Sequence, residues 1–156
     1  MRISFDLDDT LICYASDALH ESLRVPLWGR WRQWEPLRLG AAPLLRELQD
    51  RHELWIYTTS LREPRAVKRW LSLYGVRIYS VINADLHAKQ VRSREWSKLP
   101  SHFGITLHMD DEDFRHLGEQ FGFEWLLISP NDPNWADKVR AAVARLEAMP
   151  LSNNDK

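Results

Sequence analysis

Five short apolar runs, each about a strand long, alternate with segments whose apolar residues recur at helical spacing. The runs are Ile3-Ser4-Phe5, Leu54-Trp55-Ile56-Tyr57, Val76 to Ile82, Ile105 to Met109 and Trp125 to Ile128. Their β-branched and aromatic content reads as buried strands. Ala41 to Arg51, Arg62 to Tyr74, Asp113 to Phe121 and Trp135 to Met149 read as helices. Ala41-x-x-Leu44-Leu45-x-x-Leu48 and Val67-x-x-Trp70-Leu71-x-x-Tyr74 each align one apolar face. Gly75 and Gly122 stand where helices end, and Pro64 stands in a first turn. This alternation predicts an α/β three-layer sandwich on a five-stranded parallel sheet, with helices on both faces.

The 156 residues suit one domain, expected over 1–150, with a polar tail at 151–156. The stretch 12–38 breaks the alternation; it holds Pro26, Gly29 and Pro36 without a clean period, and is expected to form a flap. With 44% apolar and 28% charged residues, the chain is neither disordered, collagen-like nor a coiled coil. No run approaches the ~20 apolar residues of a membrane span. Acidic residues begin at Asp6 with no apolar leader before them, so a cytoplasmic protein that avoids membranes is expected. The one cysteine, Cys13, excludes an internal disulfide and reads as a buried thiol. Twenty-one Lys and Arg against 22 Asp and Glu give no global reason to bind nucleic acid.

Ligands of open parallel sheets bind at the carboxyl ends of the strands. There the chain carries Asp6-Leu7-Asp8-Asp9-Thr10 after the first run, Thr58-Thr59-Ser60 after the second and Asp110-Asp111-Glu112-Asp113 after the fourth. Lys89 and Lys98 lie between the third and fourth runs. One acid pair alone would read as helix capping. Acids on two strand ends, with hydroxyls and a lysine, converge into a charged site instead. Crowded carboxylates raise one another's pKa unless a cation intervenes, and all-oxygen donors favour Mg²⁺. Thr58 and Thr59 suit phosphate oxygens, so the residues point to metal-assisted phosphoryl chemistry. Asp113 fits a helix first turn. His87, His102, His108 and His116 show no ligand spacing and read as surface or packing residues.

Phe5-Asp6-Leu7-Asp8-Asp9-Thr10-Leu11 resembles the first motif of the haloacid dehalogenase superfamily. Leu54 to Ser60 resembles its second motif and His108-Met109-Asp110-Asp111 its fourth. The resemblance runs from Ile3 to about Asn131 and implies a Rossmann-like fold. It implies Asp6 as nucleophile, forming an aspartyl-phosphate, and Asp8 as general acid and then base. It implies Mg²⁺ held by Asp6, Asp110 and the main-chain carbonyl of Asp8, with Asp111 reached through water. Thr58 would bind phosphoryl oxygens, with Thr59 and Ser60 beside it. Lys98 is preferred to Lys89 as the site lysine because Lys-x-Pro before the fourth strand is similar to the family pattern. The six residues from Leu99 to Gly104 span at most roughly 20 Å, enough to cross the sheet face.

Neither 12–38 nor the stretch from Asp85 to Ser97 is long enough for a separate cap domain. The chain therefore resembles the capless magnesium-dependent phosphatases, with an open site. The expected function is a Mg²⁺-dependent phosphatase acting on a phosphomonoester: a small phosphate ester, a phosphoprotein or a nucleic-acid end. Arg24, Arg30, Arg32 and Arg38 interleave with Trp28, Trp31 and Trp34. That mixture suits base stacking or phosphate binding, but a packed flap or a homodimer contact is the favoured reading. Two alternatives share this kind of fold. A response-regulator receiver also combines acids, a hydroxyl, a lysine and Mg²⁺, but its phospho-accepting aspartate follows the third strand, where Ile82-Asn83-Ala84 stands here. A non-catalytic interaction domain would usually lack Asp6 or Asp8. A dehalogenase is disfavoured because Asp8 supplies the acid that ester cleavage needs.

Overall fold

The computed structural model describes residues 1–15, 18–22, 35–91 and 96–149. Strand β1 (Arg2–Phe5) leads to α1 (Ala41–Leu48), β2 (Glu53–Tyr57), α2 (Pro64–Ser72), β3 (Ser80–Ile82) and α3 (Ala84–Val91). A 3-10 turn at Pro100–Phe103 precedes β4 (Leu107–Asp110), α4 (Arg115–Phe121), β5 (Glu124–Leu127) and α5 (Trp135–Ala148). The sheet has five strands in the order β3-β2-β1-β4-β5, and every pairing is parallel. The chain winds outward from β1 to β3, then crosses back to β4 and winds the other way to β5. The reversal falls between β1 and β4, and a crevice opens at the carboxyl ends of such neighbours.

The pleat sorts side chains into two faces. Ile3, Phe5, Leu54, Ile56, Leu107 and Met109 pack with the inner faces of α1, α2 and α5 in one large core. On the opposite face, Trp55 and Tyr57 pack with Leu86 of α3 and Phe103, and Trp125 packs with Leu117 of α4. These are the three layers of a Rossmann-like α/β sandwich. An eight-residue helix such as α1 does not persist alone in water. It is held by burial of Leu44, Leu45 and Leu48, each adding roughly 1.5–3 kcal/mol. Glu63 caps α2 by accepting from the Ala66 N–H at 2.7 Å, just ahead of Pro64.

The third strand is shorter than the run Val76 to Ile82 predicts. The Val76 N–H bonds back to the Leu71 carbonyl, closing the end of α2 around Gly75, which has φ 75°. Pairing with β2 begins only where the Tyr79 N–H reaches the Leu54 carbonyl. Helix α3, which carries Lys89, begins directly after β3 without a periodic signal in the sequence. It buries only His87, so it presents no apolar stripe to read. Strand β4 starts at Leu107, two residues after the predicted start, because the Ile105 N–H is taken by the Pro100 carbonyl. The base of the expected flap is paired: Glu21 N–H bonds to the Leu37 carbonyl and Leu39 N–H to the Leu19 carbonyl. Trp28, Trp31, Trp34 and the tail 151–156 lie outside the described residues. Cys13 is buried. Among the described residues no helix is long and apolar enough to cross a membrane.

Candidate active site

Register brings the acids together. Phe5 pairs with Ile56 on one side and Met109 on the other, so the residues that follow leave the sheet at one level. The Asp6 N–H still bonds to the Met109 carbonyl, and the Thr58 N–H to the Ile82 carbonyl, each at 2.9 Å. Asp6 and Asp110 therefore flank the crevice where the winding reverses. Past Asp6 the chain folds back at once. Leu11 and Ile12 N–H groups both reach the Leu7 carbonyl, and Asp9 takes φ 54°, a left-handed conformation that aspartate tolerates better than most residues. That tight turn keeps Asp8 at the rim.

Lys98 is the lysine that reaches the acids. Its Nζ donates to Asp6 Oδ1 at 2.6 Å and to Asp110 Oδ2 at 2.5 Å, with all three side chains buried. Lys89 is exposed in the last turn of α3. Asp110 Oδ2 also accepts from His108 Nε2 at 2.9 Å, and Asp110 Oδ1 accepts from the Glu112 N–H at 3.0 Å. Because Nε2 donates, Nδ1 of the neutral ring accepts, and the Ser4 hydroxyl donates to it at 2.7 Å.

One ammonium serves two carboxylates, and they share it unequally. Burial raises the Asp110 pKa, but the His108 hydrogen bond and the Lys98 charge outweigh it and hold the carboxyl down at about 2. Asp6 is pushed up to about 7, by burial first and by the Asp110 charge second, with Lys98 pulling against both. Burial lowers Lys98, but the two carboxylates more than compensate, so it stays an ammonium. His108 is lowered by burial and stays neutral.

Asp6, Asp110 and Asp111 each place a carboxylate oxygen within 4.8 Å of the others. Lys98 hydrogen-bonds Asp6 and Asp110 but not Asp111, so three acidic groups share one ammonium's worth of compensation. The donors are all oxygen, so the set fits a hard divalent cation such as Mg²⁺. Asp8 spends its side chain elsewhere, on Tyr14 and Arg62, and its main-chain carbonyl accepts no backbone hydrogen bond among the described residues. Thr58 is buried; its hydroxyl donates to Ser60 Oγ at 3.2 Å and accepts from the Ser60 N–H at 3.1 Å. Thr59 is exposed beside it.

Sequence reasoning missed His108, Tyr14, Arg62 and Glu35. His108 left a signal: it pairs with Ser4 in the register and stands two residues before Asp110, on the same face. A polar pair opposed across two central strands needs a reason to be buried. The other three come from separate loops and left none. No model of a known protein family matches the chain, and no curated protein matches it.

Proposed function

We propose that the chain is a Mg²⁺-dependent phosphohydrolase of the haloacid dehalogenase type, acting on a phosphomonoester through an aspartyl-phosphate on Asp6. The observation that carries this reading is the convergence of Asp6, Lys98 and Asp110 at the reversal of the sheet, with Asp111 adjacent. A lone structural ion pair needs one acid; here one lysine bridges two buried acids and a third acid stands beside them.

Asp6, Asp110, Asp111 and the Asp8 carbonyl would hold the cation. Bound there, Mg²⁺ would offset the repulsion between Asp6 and a phosphate dianion. Asp6 attacks phosphorus, the bond from phosphorus to the ester oxygen breaks, and Asp8 delivers a proton to the leaving oxygen. Water then attacks the aspartyl-phosphate while Asp8 takes its proton, releasing phosphate and restoring Asp6. Lys98 balances charge on Asp6 and the phosphoryl oxygens in a buried setting where such a contact is worth more than in water. Thr58 offers its hydroxyl to a phosphoryl oxygen in exchange for Ser60, and Thr59 and Ser60 bound the same oxygens. The substrate is a phosphate ester that enters an open site: a small ester, a phosphoprotein or a nucleic-acid end.

Turnover of p-nitrophenyl phosphate with Mg²⁺ tests the reading. Asp6→Asn should abolish it, because an amide is a far poorer nucleophile. Undiminished turnover by pure Asp6→Asn protein would exclude the mechanism.

A further inference from the structure

Asp8 is gripped through both carboxylate oxygens by residues distant in the chain. The Tyr14 hydroxyl lies 2.6 Å from Oδ1, and Arg62 Nη1 donates to Oδ2 at 2.6 Å. Arg62 is itself braced. Its Nη2 donates to both oxygens of Glu35, at 2.9 and 3.1 Å, and to the Tyr14 hydroxyl oxygen at 2.9 Å. Tyr14 follows the turn after β1, Glu35 lies at the base of the flap, and Arg62 is in the loop that enters α2.

An exposed Arg–carboxylate pair alone contributes little to stability. This arrangement is more constrained than such a pair. Both oxygens of one carboxylate are engaged, and the Arg62 side chain keeps only 30% of its surface exposed. Its other nitrogen is anchored by a second acid. Two contacts, one on each oxygen, restrict the rotamers open to Asp8. Burial raises the Asp8 pKa, but the hydrogen bonds from Arg62 and Tyr14 outweigh it and keep the carboxyl ionised in the free protein. A phosphate dianion beside it would raise its proton affinity, and each oxygen keeps a second lone-pair direction free for that proton.

We propose that Arg62 and Tyr14 are positioning residues for Asp8, aiming its carboxylate at the leaving-group oxygen, with Glu35 holding Arg62 in place. The proposal rests on the reading of Asp8 as the group that protonates that oxygen. Proton delivery needs an approach of about 2.6–3.2 Å, and a displacement of about 1 Å can cost on the order of 100-fold. Released from its frame, Asp8 samples other rotamers, and the loss falls on substrates whose leaving group requires a proton.

The test compares Tyr14→Phe, Arg62→Gln and Arg62→Lys on two esters, with Asp8→Asn as reference. p-Nitrophenyl phosphate releases a stable phenolate, whereas β-glycerophosphate releases a basic alkoxide. Tyr14→Phe and Arg62→Gln should lower kcat on β-glycerophosphate by roughly tenfold or more beyond their effect on p-nitrophenyl phosphate. KM should change little, and Arg62→Lys should recover part of the loss. Mg²⁺ affinity by calorimetry should stay within about twofold of wild type, since both side chains touch Asp8 only at its carboxylate, whereas its main-chain carbonyl is the atom that would hold the ion. Equal losses on both esters, an effect confined to KM, or no effect would overturn the proposal. Should Arg62→Gln fail to fold, Tyr14→Phe carries the comparison, as Tyr14 is 53% exposed and its ring remains. If Asp8→Asn itself shows no preference between the esters, the role given to Asp8 fails. If Asp8→Asn is selective and the frame variants are not, the frame alone fails.

Discussion

Lys98 Nζ lies 2.5 Å from Asp110 Oδ2, although the two side chains approach from opposite ends of one short connection. Asp110 ends β4 and points off the sheet. Lys98 stands ahead of the 3-10 turn that leads into the same strand. The turn reverses the chain so that the ammonium returns over the carboxyl edge. The Tyr57 hydroxyl holds the turn's start by accepting from the Leu99 N–H at 2.8 Å.

That geometry sets the first prediction. Lys98→Ala leaves Asp6 and Asp110 facing each other without a counter-charge. It should lower kcat by about 100-fold or more, the scale seen when one electrostatic stabiliser is removed. Lys89→Ala, at an exposed position, should be nearly neutral. Steady-state kinetics of the two variants side by side decide between the lysines.

Metal removal gives the second. An ion that binds only the folded chain stabilises it by mass action, by about 2.7 kcal/mol at a hundred times its Kd. Mg²⁺ should therefore raise Tm, and a chelator should return it. Asp110→Asn should abolish the rise, and Asp111→Asn should reduce it. Scanning calorimetry with and without Mg²⁺ reads all three, and an unchanged Tm in wild type would count against the metal site.

The third concerns pH. His87 Nε2 faces the Trp96 carbonyl at 2.9 Å, so it donates, and Nδ1 must accept from the Tyr57 hydroxyl at 2.5 Å. Burial lowers the His87 pKa below the usual 6.5. The unfolded chain then binds more protons than the folded one below pH 6.5, so this contribution is complete above 6.5 and lost as pH falls toward the folded value. Asp6, raised to about 7, contributes with the opposite sign in the same window. The readout is accordingly a difference. His87→Asn should flatten the fall in urea midpoint between pH 7 and 5.5 relative to wild type, and parallel curves would refute it.

Gly118 supplies the fourth. A Cβ there would meet the Phe123 carbonyl oxygen at 2.6 Å and the Trp125 nitrogen at 3.3 Å, both main-chain atoms that cannot swing aside. Gly118→Ala should cost roughly 1–3 kcal/mol despite its better helix propensity. Urea unfolding measures this, and a neutral or stabilising result would mean that α4 can move off β5.

Periodicity alone determined the order of strands and most helices, because burying one face of a strand or helix dictates where apolar residues recur. It also placed Asp6 and Asp110 at strand ends on one edge of the sheet, while the strand order that sets β1 beside β4 brings the two together. The limits of β3 and the existence of α3 were decided otherwise. The first depends on how α2 terminates at Gly75, and the second on a helix that buries one histidine and so carries no stripe. The lysine was narrowed to two by position, but distance across the fold decided that Lys98 reaches the acids. The Arg62–Tyr14–Glu35 frame around Asp8 belongs wholly to tertiary structure. Hydrogen bonds between residues up to 54 apart in the chain depend on where the loops end in space, and no local pattern in a sequence encodes that.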